Sequence, residues 1–164
     1  MTAPVRDARP PALAVRLLNP VLGTLLRTPL GRMVAPLAVI EFTGRRSGTT
    51  HRVVVAWHPV GETPIVLTPA GWRANFVDEA PVSVRWRGRR HAYLGTLDAD
   101  PDNVAAAINA MLSTGTTARG LALRIDPGHQ VDRADVEATG RALIRFRPVD
   151  RVLTNGRGAT LPRR

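Results

Sequence analysis

The best candidate for chemistry in this sequence is the stretch FTGRRSGTTHR, residues 42–52, which joins two apolar runs. Glycines let backbone N–H groups converge on an anion, and arginines add planar donors for phosphate or carboxylate oxygens. The stretch therefore predicts an anion site, with a solvated basic turn as the alternative. The residues that would form it are Gly44, Arg45, Arg46, Ser47, Gly48 and Arg52.

Catalytic side-chain sets are sparse elsewhere in the chain. The four histidines lack metal-ligand spacing, and Ser47 does not lie in the G-x-S-x-G pattern of a nucleophile elbow. Tyr93 could donate a proton if it faced a cleft, although packing is the simpler interpretation. We therefore predict no metal site and assign no catalytic residue. This pattern is typical of an enzyme whose cofactor carries the chemistry.

Length, charge and cysteine content limit the function classes. A chain of 164 residues suits one domain, and the absence of cysteine fits a reducing compartment, so a cytoplasmic protein is expected. The net charge of +10, carried entirely by arginine, should attract phosphate, carboxylate-rich ligands, nucleic acid or anionic lipid. The shortage of aromatic residues argues against specific single-strand nucleic-acid binding.

Hydrophobic periodicity divides the chain into three parts. Residues 1–11 and the arginine-rich residues 151–164 are expected to be flexible, and residues 12–150 to form a single domain. That domain begins with an apolar helix over residues 12–27, which could cover the core or contact a membrane surface. Membrane association of a cytoplasmic protein therefore stays open.

The rest of the domain is predicted to be mainly β with flanking helices. The expected strands are Leu37–Thr43, Arg52–His58, Pro64–Thr68, Pro81–Arg87, Arg90–Asp98 and residues 142–149. Two hairpins are expected, one closed by Gly61-Glu62 and one by Gly88-Arg89. Helices are expected from Trp72, from Pro101 and between Asp132 and Gly140. Consecutive hairpins favour an antiparallel barrel, and no G-x-G-x-x-G motif supports a Rossmann fold.

The order of the motifs TGRRSG, TPAG, WRANF and VSVRWRGR resembles the deazaflavin (F420)-dependent nitroreductase family. That family belongs to the FMN-binding split-barrel, pyridoxamine-oxidase-like superfamily. The similarity spans roughly residues 13–98. It implies a split β-barrel of about six antiparallel strands and the cofactor F420, whose phosphate and oligoglutamate tail are strongly anionic.

The resemblance also implies a cofactor site with two walls. Residues 44–52 would hold the phosphate and tail, a strand would pass the ring system by its backbone, and a turn leading to a tryptophan would form the other wall. Beyond the loop residues above, the implied site residues are His51, Val53, Val54, Val55, Thr68, Pro69, Ala70, Gly71, Trp72 and Asn75. His51 stands where arginine is common in the family, and Val54 where proline is common.

The function implied by the resemblance is an F420-dependent oxidoreductase that transfers a hydride to an activated alkene, quinone or nitro compound. One alternative is an FMN-binding split-barrel protein or a cofactor carrier without turnover. A second is a basic module that binds nucleic acid or a membrane surface. Homodimers are common for this barrel, so a homodimer is a further expectation from the resemblance.

Overall fold

The computed structural model describes residues 4–8 and 37–149. The predicted helix over residues 12–27 and the predicted basic tail over residues 151–164 lie outside these ranges. The described strands are β1 Val5–Asp7, β2 Leu37–Thr43, β3 Thr50–Ala56, β4 Ile65–Thr68, β5 Ala80–Trp86, β6 Arg89–Asp98, β7 Leu123–Ile125 and β8 Ala142–Pro148. The helices are α1 Pro101–Ser113 and α2 Arg133–Thr139, with short 3-10 helices at Gly71–Phe76 and Arg119–Leu121.

Six of the described strands form one antiparallel sheet in the order β3-β2-β5-β6-β8-β4. The sheet curls into a half-barrel, so the predicted mainly-β class with about six antiparallel strands is confirmed. The β5–β6 hairpin forms as expected, and Trp86 pairs with Arg89 across its two-residue turn. Arg87 and Gly88 occupy that turn with φ of 48° and 75°, the positive values that a type I′ hairpin turn requires.

The hairpin predicted between the second and third strands is reduced to one antiparallel bridge, and a ladder between β3 and β4 does not form. β4 pairs with β8 along its whole length, and only an isolated bridge between His58 and Ile65 connects the ends of β3 and β4. All four residues of β4 are buried, with Ile65 and Leu67 on one face and Val66 on the other. A strand that is apolar on both faces is stable only where both faces are covered, and the position beside β8 provides that.

The sheet separates two hydrophobic clusters. One fills its concave face and consists mainly of aromatic and β-branched side chains: Ala38, Ile40, Phe42, Val55, Trp57, Val66, Phe76, Val82, Val84, Ile144 and Phe146. The other lies between the β4–β8 edge and the helices, and includes Ile65 and Leu67 of β4 with Val104, Ile108 and Met111 of α1. Both helices begin as predicted, α1 with an Asp100 N-cap and α2 with an Asp132–Asp135 capping box.

Residues 4–8 differ from the flexible segment expected for the N-terminus. β1 pairs with β7 in a separate two-stranded sheet, and Val5 is buried in the helical cluster. The Asp7 carboxylate accepts a hydrogen bond of 2.8 Å from the buried Arg141 guanidinium, which also donates to backbone carbonyls of Leu121 and Ala122. A three-residue strand is too short for its alternation to be recognised in the sequence.

Among the described residues, no helix is long and apolar enough to cross a membrane.

Candidate functional site

The connection between β2 and β3, Gly44–Gly48, is a compact turn that we call the arginine loop. The Gly44 N–H donates to the Thr49 carbonyl and the Gly48 N–H to the Gly44 carbonyl, both at 2.8 Å. Gly48 has φ of +65°, which favours glycine. A Cβ on Gly44 would lie 2.5 Å from Ser47 Oγ and 2.6 Å from His51 Nε2. The two glycines of the motif therefore serve backbone geometry and close packing.

The arginine loop is fastened to the 3-10 helix Gly71–Phe76 by one side chain. Asn75 Oδ1 accepts a hydrogen bond of 2.8 Å from the Arg45 backbone N–H. The Asn75 amide in turn donates to the Trp72 carbonyl at 2.7 Å, which holds its orientation. Two parts of the predicted site that lie 30 residues apart in sequence are thus in direct contact.

The backbone nest expected in this loop is largely used within the protein. The N–H groups of Gly44, Arg45 and Gly48 already donate to the Thr49 carbonyl, Asn75 and the Gly44 carbonyl. An anion here would therefore depend on side chains more than on converging amides.

The three arginines of the motif have different surroundings. Arg45 forms an ion pair of 3.0 Å with Asp78, whose side chain is 82% exposed. Arg52 instead points to Glu41 at 2.6 Å, and Arg90 donates to the other oxygen of that carboxylate at 2.7 Å. Hydrogen bonding from Arg52, together with both positive charges, lowers the pKa of Glu41 despite partial desolvation. Arg52 is thus held on the outer face of the sheet.

Arg46 is the loop arginine most available to a ligand. It is exposed and forms no ion pair with any residue in the described ranges. An incoming anion would also compete easily for Arg45, since exposed ion pairs contribute only about 0–1 kcal/mol.

A cluster of aromatic rings, in which Phe42 and Phe76 are buried and Trp72 and His51 are more exposed, lies beside the arginine loop. The Phe42 ring is stacked on His51 at 5.5 Å between centroids, and it contacts Trp72 at 5.8 Å and Phe76 at 5.0 Å. Two hydroxyls continue this cluster toward the loop: Ser47 Oγ and Thr49 Oγ1 lie 2.7 Å apart, and each is 3.5 Å from His51 Nε2. Charged and hydroxyl groups of the loop therefore lie next to His51 and the partly exposed ring of Trp72.

Strand β3 is an edge of the sheet in the described chain, pairing only with β2. In an antiparallel ladder, hydrogen-bonded and non-hydrogen-bonded residue pairs alternate. The hydrogen bond from the Gly44 N–H to the Thr49 carbonyl makes that pair a hydrogen-bonded one, so the pair Val39–Val54, five positions along, is non-hydrogen-bonded. The N–H and C=O of Val54 therefore point away from β2. Val53 and Val55 pack toward the concave core. Of the three predicted strand residues, only Val54 offers its backbone at the free edge.

The predicted turn from Thr68 to Gly71 holds the start of the 3-10 helix. Thr68 is buried, and its hydroxyl accepts a hydrogen bond of 3.1 Å from the Ala70 N–H. Arg73 reaches from this helix to the Gly140 carbonyl at 2.5 Å. Thr68, Pro69 and Ala70 therefore support the position of Trp72, and nothing in the described chain brings their side chains to the arginine loop.

Tyr93 belongs to the aromatic packing of the concave face. Its ring lies 5.4 Å from Trp57 and 6.3 Å from Phe146, and burial raises the pKa of its phenol. These contacts favour the packing interpretation over a role as proton donor.

Three residues beside the arginine loop were missed by the sequence interpretation. Phe42 was seen only as strand, although its inward position on β2 carries the aromatic cluster. Thr49 and Asp78 contact Ser47 and Arg45, respectively. The second threonine of SGTT was a usable signal for a hydroxyl cluster, whereas a contact across 33 residues had none.

Comparison with known proteins gave matches among solved structures alone. No protein-family model and no curated protein matched the sequence. An F420 reductase is 18% identical, with 77% of this chain and 91% of that chain covered and a TM-score of 0.39. A protein of unknown function from Agrobacterium tumefaciens str. C58 is 19% identical; the match covers 90% of this chain and 59% of that chain, with a TM-score of 0.46.

A further solved structure with a match is an FAD- and heme-binding protein from Mycobacterium smegmatis. It is 17% identical, covers 98% of this chain and 94% of that chain, and has a TM-score of 0.33. Similarities at this level do not assign an activity to the chain.

Proposed function

We propose that the protein is an F420-dependent oxidoreductase that binds the cofactor at the arginine loop. The observation that carries this proposal is the hydrogen bond between the Arg45 backbone and Asn75, which joins the basic loop to the helix that bears Trp72. F420 combines an anionic phosphate and tail with a flat ring system. A cationic loop beside an aromatic cluster matches both parts of such a molecule.

The charges of the loop favour a cofactor with several negative groups. Arg46 is free to meet the first of them, and Arg45 can exchange its exposed partner Asp78 for the second. The Ser47 and Thr49 hydroxyls hydrogen-bond to each other, which leaves one O–H donor beside the arginines. A hydrogen bond to a charged group contributes roughly 1.5–3 kcal/mol when shielded from water and less when exposed.

The chemistry would come from the bound group, and the chain would supply position. Reduced F420 supplies a hydride, here to an activated alkene, quinone or nitro compound. His51 and Trp72 would provide the surface against which the ring is oriented, with the buried Phe42 packed behind both of them. The backbone of Val54, at the free edge of β3, would hydrogen-bond a polar edge of the ring. Solvent is a sufficient source of the proton that completes reduction of the acceptor.

The proposal is tested by titrating the protein with F420 and separately with FMN at near-physiological salt, following tryptophan fluorescence. Replacement of both Arg45 and Arg46 by alanine should weaken F420 binding more than tenfold, or about 1.4 kcal/mol. The matched control replaces the exposed Arg119 and Arg124, which removes the same charge away from the loop. The control should bind F420 within about twofold of wild type, because distant charges are screened.

The acceptor step needs its own assay. Consumption of reduced F420 with menadione or a nitroaromatic compound should be lost in the Arg45, Arg46 double variant and kept in the control. Tighter binding of FMN than of F420 would move the protein to an FMN-binding function. Tight F420 binding without turnover would support a cofactor carrier. If the Arg45, Arg46 double variant and the Arg119, Arg124 control weakened F420 binding equally, the arginine loop would not be the cofactor site.

A further inference from the structure

A second region of the molecule forms a cleft with a very different lining. It lies between the segment Trp57–Gly61 that follows β3 and the end of α1 with the loop after it, is open to solvent on one side, and has a volume of about 620 Å³. Among the described residues that line it, none carries a charged side chain, although the chain has a net charge of +10. We call this region the uncharged cleft. It shares no residue with the arginine loop.

His58 is the main polar group of the uncharged cleft. The residue is only 6% exposed, and its backbone is fixed by hydrogen bonds of 3.0 and 2.9 Å with Ile65. Its imidazole forms no hydrogen bond within the described ranges. Burial lowers the pKa of this imidazole, so the ring is neutral at physiological pH and presents one donor and one acceptor.

The floor of the cleft consists of closely packed side chains and is apolar except for the buried Trp57 Nε1, which has no hydrogen-bond partner within the described residues. Trp57 is 1% exposed, and its ring is wedged between Tyr93 at 5.4 Å and Phe146 at 4.8 Å. Met111 of α1 completes the floor and is also buried. Because the Trp57 ring is already held by its neighbours, a ligand would not need to order it on binding. Preformed apolar surface of this kind lowers the cost of association.

Three threonine hydroxyls lie at the rim, and one of them is fully used within the protein. Thr114 Oγ1 donates to the carbonyls of Ala110 and Met111, and Thr117 Oγ1 accepts from the Gly120 N–H at 3.1 Å. Thr116 is the remaining threonine of the lining. The cleft therefore presents the imidazole and the hydroxyls of Thr116 and Thr117 as its side-chain polar groups.

We propose that the uncharged cleft binds a small, neutral and mainly apolar molecule that carries a single hydroxyl or carbonyl group directed at His58. Small-molecule sites are typically concave, about 300–1,000 Å³ in volume and mostly apolar, with a few polar groups that set orientation. An anion would lose hydration in this cleft without meeting a counter-charge, which is costly. This inference does not depend on the function proposed for the arginine loop.

The test compares benzyl alcohol with benzoate, which share a ring and differ in charge. In NMR titrations of the full chain, benzyl alcohol should shift the His58 ring signals and the Trp57 indole signal saturably, at millimolar concentration. Benzoate should affect these signals at least tenfold more weakly, even though the net charge of the protein attracts anions. Absence of a saturable shift at His58, or equal binding of benzoate there, would overturn the proposal.

A blocking substitution locates the binding. Val60 is 43% exposed at the rim, so Val60→Trp should fill the mouth without disturbing the core and weaken benzyl alcohol binding at least tenfold. Val149, equally exposed but outside the cleft, provides the matched control Val149→Trp, which should bind as wild type does. Equal affinity in the two variants would also overturn the proposal. The wild-type titration is decisive by itself if Val60→Trp unfolds.

Discussion

The arginine loop and the uncharged cleft lie at opposite ends of the same strand. The loop precedes β3 and the cleft begins directly after it, so the strand separates them by about 20 Å. The loop is exposed, cationic and held by hydrogen bonds to backbone and to Asn75. The cleft is partly buried, uncharged and held by aromatic packing.

This difference separates two ways of recognising a ligand. Charge on an exposed loop attracts anions from a distance, but salt screens it within about 8–10 Å and each ion pair contributes little. A buried apolar cleft acts only at contact, gaining free energy from desolvation and rejecting charge. Binding at the arginine loop should therefore weaken with salt, whereas binding in the uncharged cleft should not.

The largest effect on stability is expected from a substitution at Phe76, whose ring packs against Phe42 and Trp72 beside the arginine loop. Phe76 is fully buried and contacts Phe42, Trp72 and Phe146. Phe76→Ala should lower the free energy of unfolding by about 3–5 kcal/mol, because it removes transfer free energy and leaves a cavity. Denaturant unfolding measures this loss.

The neighbouring Val77 is a control for that substitution, since its side chain is 54% exposed. Val77→Ala should change the free energy of unfolding by less than about 0.5 kcal/mol. Where Phe76→Ala remains folded, F420 binding should fall more than benzyl alcohol binding, because Phe76 belongs to the helix that holds Asn75. A larger loss of benzyl alcohol binding than of F420 binding would mean that Phe76 supports the uncharged cleft and not the arginine loop.

The buried histidine of the cleft should make stability depend on pH. The folded protein keeps His58 neutral, whereas in the unfolded chain its imidazole takes up a proton near its ordinary pKa of 6.5. The unfolded state then binds more protons, so the free energy of unfolding should decrease as pH falls below 6.5, by at most about 1.4 kcal/mol per pH unit. Well above that pH the histidine is neutral in both states, so it should not make the free energy of unfolding depend on pH.

Urea unfolding between pH 7.5 and 5 measures this slope, and His58→Phe should reduce it. Glu41 and Asp135 titrate in a different window: their lowered pKa values contribute stability that is lost only below about pH 4.5, toward their folded values. An unchanged slope in His58→Phe would show that the imidazole is already protonated, or exposed, in the folded protein.

Local signals in the sequence predicted the elements well and their long-range pairing poorly. The Asp100-Pro101 and Asp132–Asp135 caps and the Arg87-Gly88 turn are each decided within four residues, and each forms as expected or one residue away. The partner of β4 is decided by what covers its two faces, and that depends on α1, which comes more than 30 residues later. Hydrophobic pattern alone does not contain that information.

The candidate site shows the same division. The motif indicated residues 44–52 as one wall of the site, and the resemblance put Asn75 in the other wall without indicating its hydrogen bond to Arg45. Neither could show that Arg52 turns to Glu41 and Arg45 to Asp78, because a basic side chain chooses among carboxylates by their position in the fold. The uncharged cleft gave no sequence signal, since its lining comes from two segments about 50 residues apart.

The connection between the arginine loop and the 3-10 helix is tested at Asn75. Asn75→Ala removes the acceptor of the Arg45 N–H and the donor to the Trp72 carbonyl. Hydrogen exchange at the Arg45 amide should accelerate about fivefold, as expected for a bond of about 1 kcal/mol. Asn75→Asp keeps the acceptor and should retain most of the protection. Equal exchange in both variants would mean that the loop holds its shape without the helix.

The smallest effect on stability and binding is expected from a substitution at Asp78. It separates the contribution of charge to binding from the contribution of the loop's structure. Because both partners of the Arg45–Asp78 pair are exposed, Asp78→Asn should change the free energy of unfolding by less than about 0.5 kcal/mol. It should nevertheless tighten F420 binding about two- to threefold at low salt, since Arg45 no longer needs to leave a partner. Glu79→Gln removes the same charge from the next residue, whose partner is Arg147, and should tighten binding less. Benzyl alcohol binding should respond to neither substitution, because the ligand is neutral and does not interact with the charge that each substitution removes. Equal effects of the two variants on F420 would mean that the loop senses net charge alone, and that the geometry of Arg45 contributes nothing to recognition.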